Sequence, residues 1–179
     1  MFTKGKQISQ RFALAVLTLT MVSSQAMADD DGKEYKVNLS PLNSSGVYGE
    51  VEFKLRGNKL YVEIEAYGLE VGKPHPQHIH GFNAPVKQSS CPGMEADTNA
   101  DGIVSVQEGA PSYGPILLPL TPFDLVNANG SLKYEASFTI NPSTVVPLEK
   151  RAVVLHGMTV NNQYIPSLPV ACGRIGMDD

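Results

Sequence analysis

The chain has 179 residues, with 18 acidic and 14 basic side chains and no tryptophan. That acidic balance, with no basic cluster, excludes a nucleic-acid or anionic-membrane surface and suits the binding of cations. The length is enough for one domain with a real core.

The chain starts with an address. Lys4, Lys6 and Arg11 make a basic start, "FALAVLTLTMV" is apolar, and "AMA", ending at Ala28, is a small-x-small cleavage site. The apolar run is too short to span a bilayer comfortably. Residues 1–28 are therefore expected to be a signal peptide, and residues 29–179 a single exported domain, periplasmic or secreted. Without the leader, 11 basic residues face 18 acidic ones, a net charge of −7. No later apolar run approaches membrane-spanning length. Cys91 and Cys172 would sit in an oxidising compartment, where a cysteine pair is more often bridged than free.

Alternation of period two then dominates. After "KVNLS", the stretch "GVYGEVEFKLR" points Val51, Phe53 and Leu55 one way and Glu50, Glu52 and Lys54 the other. A Gly-Asn turn in "RGNK" leads into "LYVEIEAY", which puts Leu60, Val62, Ile64 and Ala66 on one face and leaves Glu63 and Glu65 in water. This predicts an antiparallel hairpin with one wet side. "PQHIHGF", "GPILLPL", "SLKYEASFTI", "RAVVLHG" and "PVACGRI" complete eight short strands, the pattern of a β-sandwich or barrel. No long helical pattern is present, and the terminal "DDDGK" and "GMDD" are expected to be loose.

Residues 83 to 113 interrupt the strands. A loop that long is uncommon unless it is functional or fastened. Within it, "DTNADGIVSVQE", residues 97–108, fits the twelve-residue EF-hand calcium loop. Asp97, Asn99 and Asp101 would offer side-chain oxygens, Ile103 its carbonyl, Ser105 a direct or water-mediated contact, and Glu108 a bidentate carboxylate. Gly102 stands where the loop turns sharply, and apolar Val104 is placed to tuck it against a core. Hard oxygen donors suit Ca2+. A solvated loop in which Ser105 and Glu108 form a helix capping box is the competing expectation. The flanking "CPGMEA" and "GAPSYGP" are too short and broken for a helix pair, so a lone calcium clip is expected rather than a sensor.

Three of the four histidines lie in "HPQHIHGF". On a strand, His78 and His80 share a face, with Cα atoms about 6.6–7 Å apart. His156 follows Val154 and Ala152 on one face of another strand. Imidazole donors suit copper or zinc, although spacing alone leaves a chance surface pair equally open.

"GVYGEVEFKLRGNKLYVEIEAYGLEVGKPHPQHIHGF", Cys91, "RAVVLHG" and "ACGRIG" together resemble the copper/zinc superoxide dismutase fold family, including its chordin-type (CHRD) relatives. The resemblance implies an all-β, eight-stranded Greek-key β-barrel or sandwich. It implies that His78, His80 and His156 bind copper, that His75 is a supporting histidine or strand cap, and that Cys91 and Cys172 form a disulfide. This chain also departs from the family. No histidine lies between Gly81 and Leu155, so the bridging histidine and the zinc ligands are missing and no zinc site is expected. The family's anion-guiding arginine is replaced by Pro169, and Arg174 follows the cysteine instead. Three functions follow. The first is an exported, calcium-clipped domain that binds copper through three histidines without efficient dismutase turnover. The others are a non-catalytic CHRD-like interaction module and a copper-only dismutase. The expectation leans away from an enzyme, with metal ions as partners.

Overall fold

Alternation in the sequence becomes alternation in burial. In a computed structural model, which describes residues 32–83 and 87–177, Val51, Phe53, Leu60, Val62 and Ile64 are buried while Glu52 and Glu65 are exposed. The expected signal peptide lies outside the described residues.

The elements in order are β1 (Lys33–Pro41), β2 (Tyr48–Arg56), β3 (Lys59–Tyr67), β4 (Gln77–His80), α1 (Val106–Tyr113), β5 (Ile116–Pro119), β6 (Ser131–Thr139), α2 (Pro142–Val145), β7 (Ala152–Val160), β8 (Gln163–Arg174) and β9 (Gly176–Met177). All eight expected strands form. The path β5-β4-β7-β8-β1-β2-β3-β6 is a curled antiparallel half-barrel, and its non-consecutive neighbours are those of a Greek key. The Gly-Asn hairpin forms as expected, with Arg56 opposite Lys59. Of the two end stretches expected to be loose, the described residues Lys33, Gly176 and Met177 lie in strands. β1 begins at Lys33, and Gly176 and Met177 pair with Lys36 and Tyr35.

Two apolar clusters divide the molecule. The larger fills the barrel, with Val153 and Leu155 of β7 pointing into it. Ala152 and Val154, on the opposite face of the same strand, belong to a second cluster with Leu42, Tyr113 and Cys172. β7 is thus buried on both sides, which is why "AVVL" is uninterrupted. Its outer face is covered by the segment that breaks the strand rhythm.

Three fasteners hold that segment. The Cys91–Cys172 disulfide joins positions 81 apart, and on an entropic account contributes roughly 4 kcal/mol. α1 corrects the expectation that "GAPSYGP" is too broken for a helix. Ser105 and Glu108 form a full capping box, and the Gly114 N–H closes the helix on Ala110. Burial of Tyr113 then outweighs the single backbone bond that Pro111 removes. Before the calcium-type loop the described residues form one 3-10 turn, Met94–Ala96.

The third fastener was not visible in the sequence. Asn43 is buried with φ +54°. Its Oδ1 accepts the Val104 N–H at 2.7 Å, and its Nδ2 donates to the carbonyls of Val104 at 3.0 Å and Pro169 at 2.9 Å. One side chain thus imitates a neighbouring strand and ties the loop to β8. Asn43→Ala should destabilise the protein by about 2–4 kcal/mol, because the buried partners lose their pairing. It should also speed amide exchange at Val104. Unchanged melting and exchange would contradict this account.

Candidate metal centre

β4 is four residues long, yet its register decides the site. It pairs with β7 so that His78 faces Val154 and His80 faces Ala152. His156 lies two residues beyond Val154 on the same face, where the β7–β8 register shifts around it. Ile79 points the other way and is fully buried.

The three imidazoles therefore gather. Their ring centroids are 5.0 to 5.7 Å apart, and one candidate ligand atom from each ring lies within 4.8 Å of the others. The His80 Nδ1 is 2.9 Å from the Gly114 carbonyl, and the His156 Nδ1 is 2.7 Å from the Ser167 carbonyl. A carbonyl only accepts, so Nδ1 carries the proton on both rings and Nε2 keeps its lone pair. Gly114 is needed there: its φ is +86°, and a Cβ would lie 2.6 Å from the Gly81 carbonyl oxygen.

One nitrogen on each ring is left buried without a hydrogen-bond partner: His78 Nδ1, His80 Nε2 and His156 Nε2. Buried polar atoms ordinarily have partners, and an orphan signals an unseen ion or water. The donor set fits a metal of the copper or zinc type. Burial lowers all three pKa values, His78 to about 4 and His156 to about 3. The neutral rings are ready to ligate at neutral pH.

A cavity of about 530 Å³ is lined by the three histidines. Val106, Ala110 and Tyr113 of α1 form one wall, and Ile116, Phe123 and Pro166 form much of the rest. The His78 ring meets Phe123 edge-on at 5.7 Å and the His80 ring meets Tyr113 at 4.7 Å. Among the described residues, no charged side chain lines the cavity. Arg174 is exposed and is not among the lining residues, and Arg151 is committed to the carbonyls of Val145 and Phe82.

His75 lies behind the centre. Its Nδ1 is 3.0 Å from the His156 carbonyl and its Nε2 is 3.2 Å from the Glu70 carbonyl. It is not part of the three-imidazole group.

The acidic loop is a separate structure. Asp97 Oδ2 accepts the Gly102 N–H, Asn99 Oδ1 accepts that of Asp101, and Asp101 Oδ1 accepts that of Ile103. Gly102 has φ +84°, and Val104 is buried, both as the loop pattern expects. Glu108 accepts from the N–H and hydroxyl of Ser105 and from the N–H and hydroxyl of Thr98. Those bonds, the Ser105 pair foremost, hold its pKa at about 2. The capping box is formed, while Asp97, Asp101 and Glu108 do not converge as tightly as the histidines.

No family model matches the chain, and no curated protein matches it. Among solved structures, it is similar to a mutant form of superoxide dismutase 5 from Candida albicans. The TM-score is 0.45 at 17% identity, over 83% of this chain and 93% of that one.

The histidine pKa values set a pH dependence. The unfolded chain takes up a proton on each histidine near pH 6.5, whereas folded His78 and His156 resist until about 4 and about 3. Between those values the unfolded state binds more protons, so stability is full above pH 6.5 and falls as the pH drops. The metal-free protein should melt progressively lower from pH 6.5 to 4, and His156→Gln should flatten the slope. A melting temperature independent of pH across that window would refute the assignment.

Proposed function

We propose that this is an exported metal-binding β domain that holds copper through His78, His80 and His156 without efficient dismutase turnover. The observation that carries the reading is the gathering of three imidazoles, each with one buried nitrogen left without a partner. Three neutral imidazoles satisfy Cu(I) in a trigonal arrangement, whereas Cu(II) prefers a further tetragonal ligand. Copper would supply redox capacity there. The chain supplies tautomers held by the Gly114 and Ser167 carbonyls, and His75 braces the backbone at His156. The formed disulfide supports residence in an oxidising compartment. No helix among the described residues is long and apolar enough to cross a membrane.

Turnover of superoxide would need an anion to reach a cavity that no cationic side chain of the described residues lines, on a chain with 18 acidic and 14 basic residues. Long-range steering changes association rates by about 10–10³-fold, and this arrangement forgoes it. Residues 97–108 serve as a calcium clip. The support is the Asx-turn pattern, positive φ at Gly102, and the anchoring of Val104 by Asn43.

Protein taken from its native compartment without added metal should contain copper and retain Cu(I) against a weak chelator. His80→Ala should lower Cu(I) affinity by roughly a hundredfold or more, and dismutase activity should be low. Copper-loaded protein working near the diffusion limit would establish the enzyme reading instead, and failure to retain Cu(I) would favour an interaction module.

Calcium at a hundredfold excess over its Kd should raise the melting temperature by about 5–10 °C. Glu108→Gln should remove most of that rise and leave copper retention unchanged. Equal melting in chelator and in millimolar calcium would dispose of the clip.

A further inference from the structure

The cavity lined by the three histidines has a composition that the metal alone does not explain. A site meant for water or a small anion would offer hydrogen-bond donors around the open coordination position. Here Val106, Ala110 and Tyr113, at i, i+4 and i+7, turn one helical stripe toward the opening, and Phe123 and Pro166 stand among the other walls. The walls formed by the described residues are almost wholly apolar and carry no charged side chain. A water molecule there finds few of the two to four polar partners that would hold it. The volume, about 530 Å³, falls within the usual range of about 300–1,000 Å³ for small-molecule sites, which are mainly apolar with a few convergent polar groups. In this cavity the convergent polar groups are the three imidazole rings among its lining residues.

We propose that this cavity binds a small uncharged molecule with an apolar body and one donor atom, the donor directed to the three-histidine centre and the body packed against α1 and Phe123. The proposal rests on reading the three nitrogens as a metal site. It adds a ligand class that differs from a free anion in both charge and size. α1 is well placed for this. The Gly114 carbonyl that fixes His80 directly follows the helix, so one short segment orients a donor ring and walls the space above it.

The test separates body from donor. The full chain, loaded with Cu(I) under anaerobic conditions, is titrated with N-methylimidazole, N-benzylimidazole and N-carboxymethylimidazole, which present the same donor nitrogen on different bodies. The benzyl compound should bind at least about tenfold more tightly than the methyl compound, from the added apolar burial, and the carboxymethyl compound should bind most weakly. Ala110→Glu, which places a charge in the wall, should level the series while Cu(I) retention is unchanged. Phe123→Ser serves the same purpose if that variant fails to fold. Equal affinities, or tightest binding of the carboxymethyl compound, would overturn the proposal. The metal-free protein is titrated in parallel, following the NMR methyl signals of Val106, Ala110 and Ile116. Benzyl preference in a protein that retains no copper would sink the copper reading and uphold the cavity. Copper retention with indifference to the body would sink the cavity proposal alone.

Discussion

The four-residue pairing of β4 with β7 is the constraint on which the centre depends. Side chains alternate along a strand, so a slip of one residue would exchange the two faces of β4. Ile79 would then occupy the site, and His78 and His80 would enter the barrel core. The register is held from the core side by the complete burial of Ile79, Val153 and Leu155. It is held at the margin by the His156 N–H, which donates to the Pro76 carbonyl at 2.8 Å. Apolar packing inside the barrel thereby selects the geometry of polar atoms outside it.

Residues between β4 and β5 complete what the strands begin. Without that segment, Ala152, Val154 and the imidazole face of β7 would lie open to water. The disulfide and the Asn43 carboxamide fasten it to β8, and α1 packs through Tyr113 against the outer face of β7. Once it is in place, burial keeps the imidazoles neutral and the Gly114 carbonyl chooses the tautomer of His80. A structural covering and the chemistry beneath it are therefore one arrangement.

Charge is distributed in keeping with this. The carboxylates of β2 and β3 lie on the wet face, where Lys36 and Lys133 pair with several of them. Such exposed pairs contribute little stability, but they keep charge away from the histidines. Arg151 is buried at the start of β7, yet its guanidinium donates to backbone carbonyls rather than to the cavity. The centre is left with neutral imidazole nitrogens and apolar walls, a donor set of the copper or zinc type.

All eight strands, the wet face of the hairpin, the sharp turn at Gly102 and the inward tuck of Val104 followed from the sequence. Each is set by local periodicity or by a backbone conformation that few residues tolerate. His78 and His80 on one face were legible for the same reason, since strand geometry alone puts them there. The arrival of His156 beside them depends on a β4–β7 pairing between segments more than seventy residues apart, which local pattern does not specify. α1 formed despite Pro111 because burial of Tyr113 and a capping box outweighed a weak propensity. Asn43, in an ordinary turn sequence, took on its anchoring role only when the fold brought Val104 and Pro169 to its carboxamide. The sequence by itself determined which side chains face which way along each strand. Tertiary structure decided which of those faces meet, because contacts between distant segments arise from packing the whole chain.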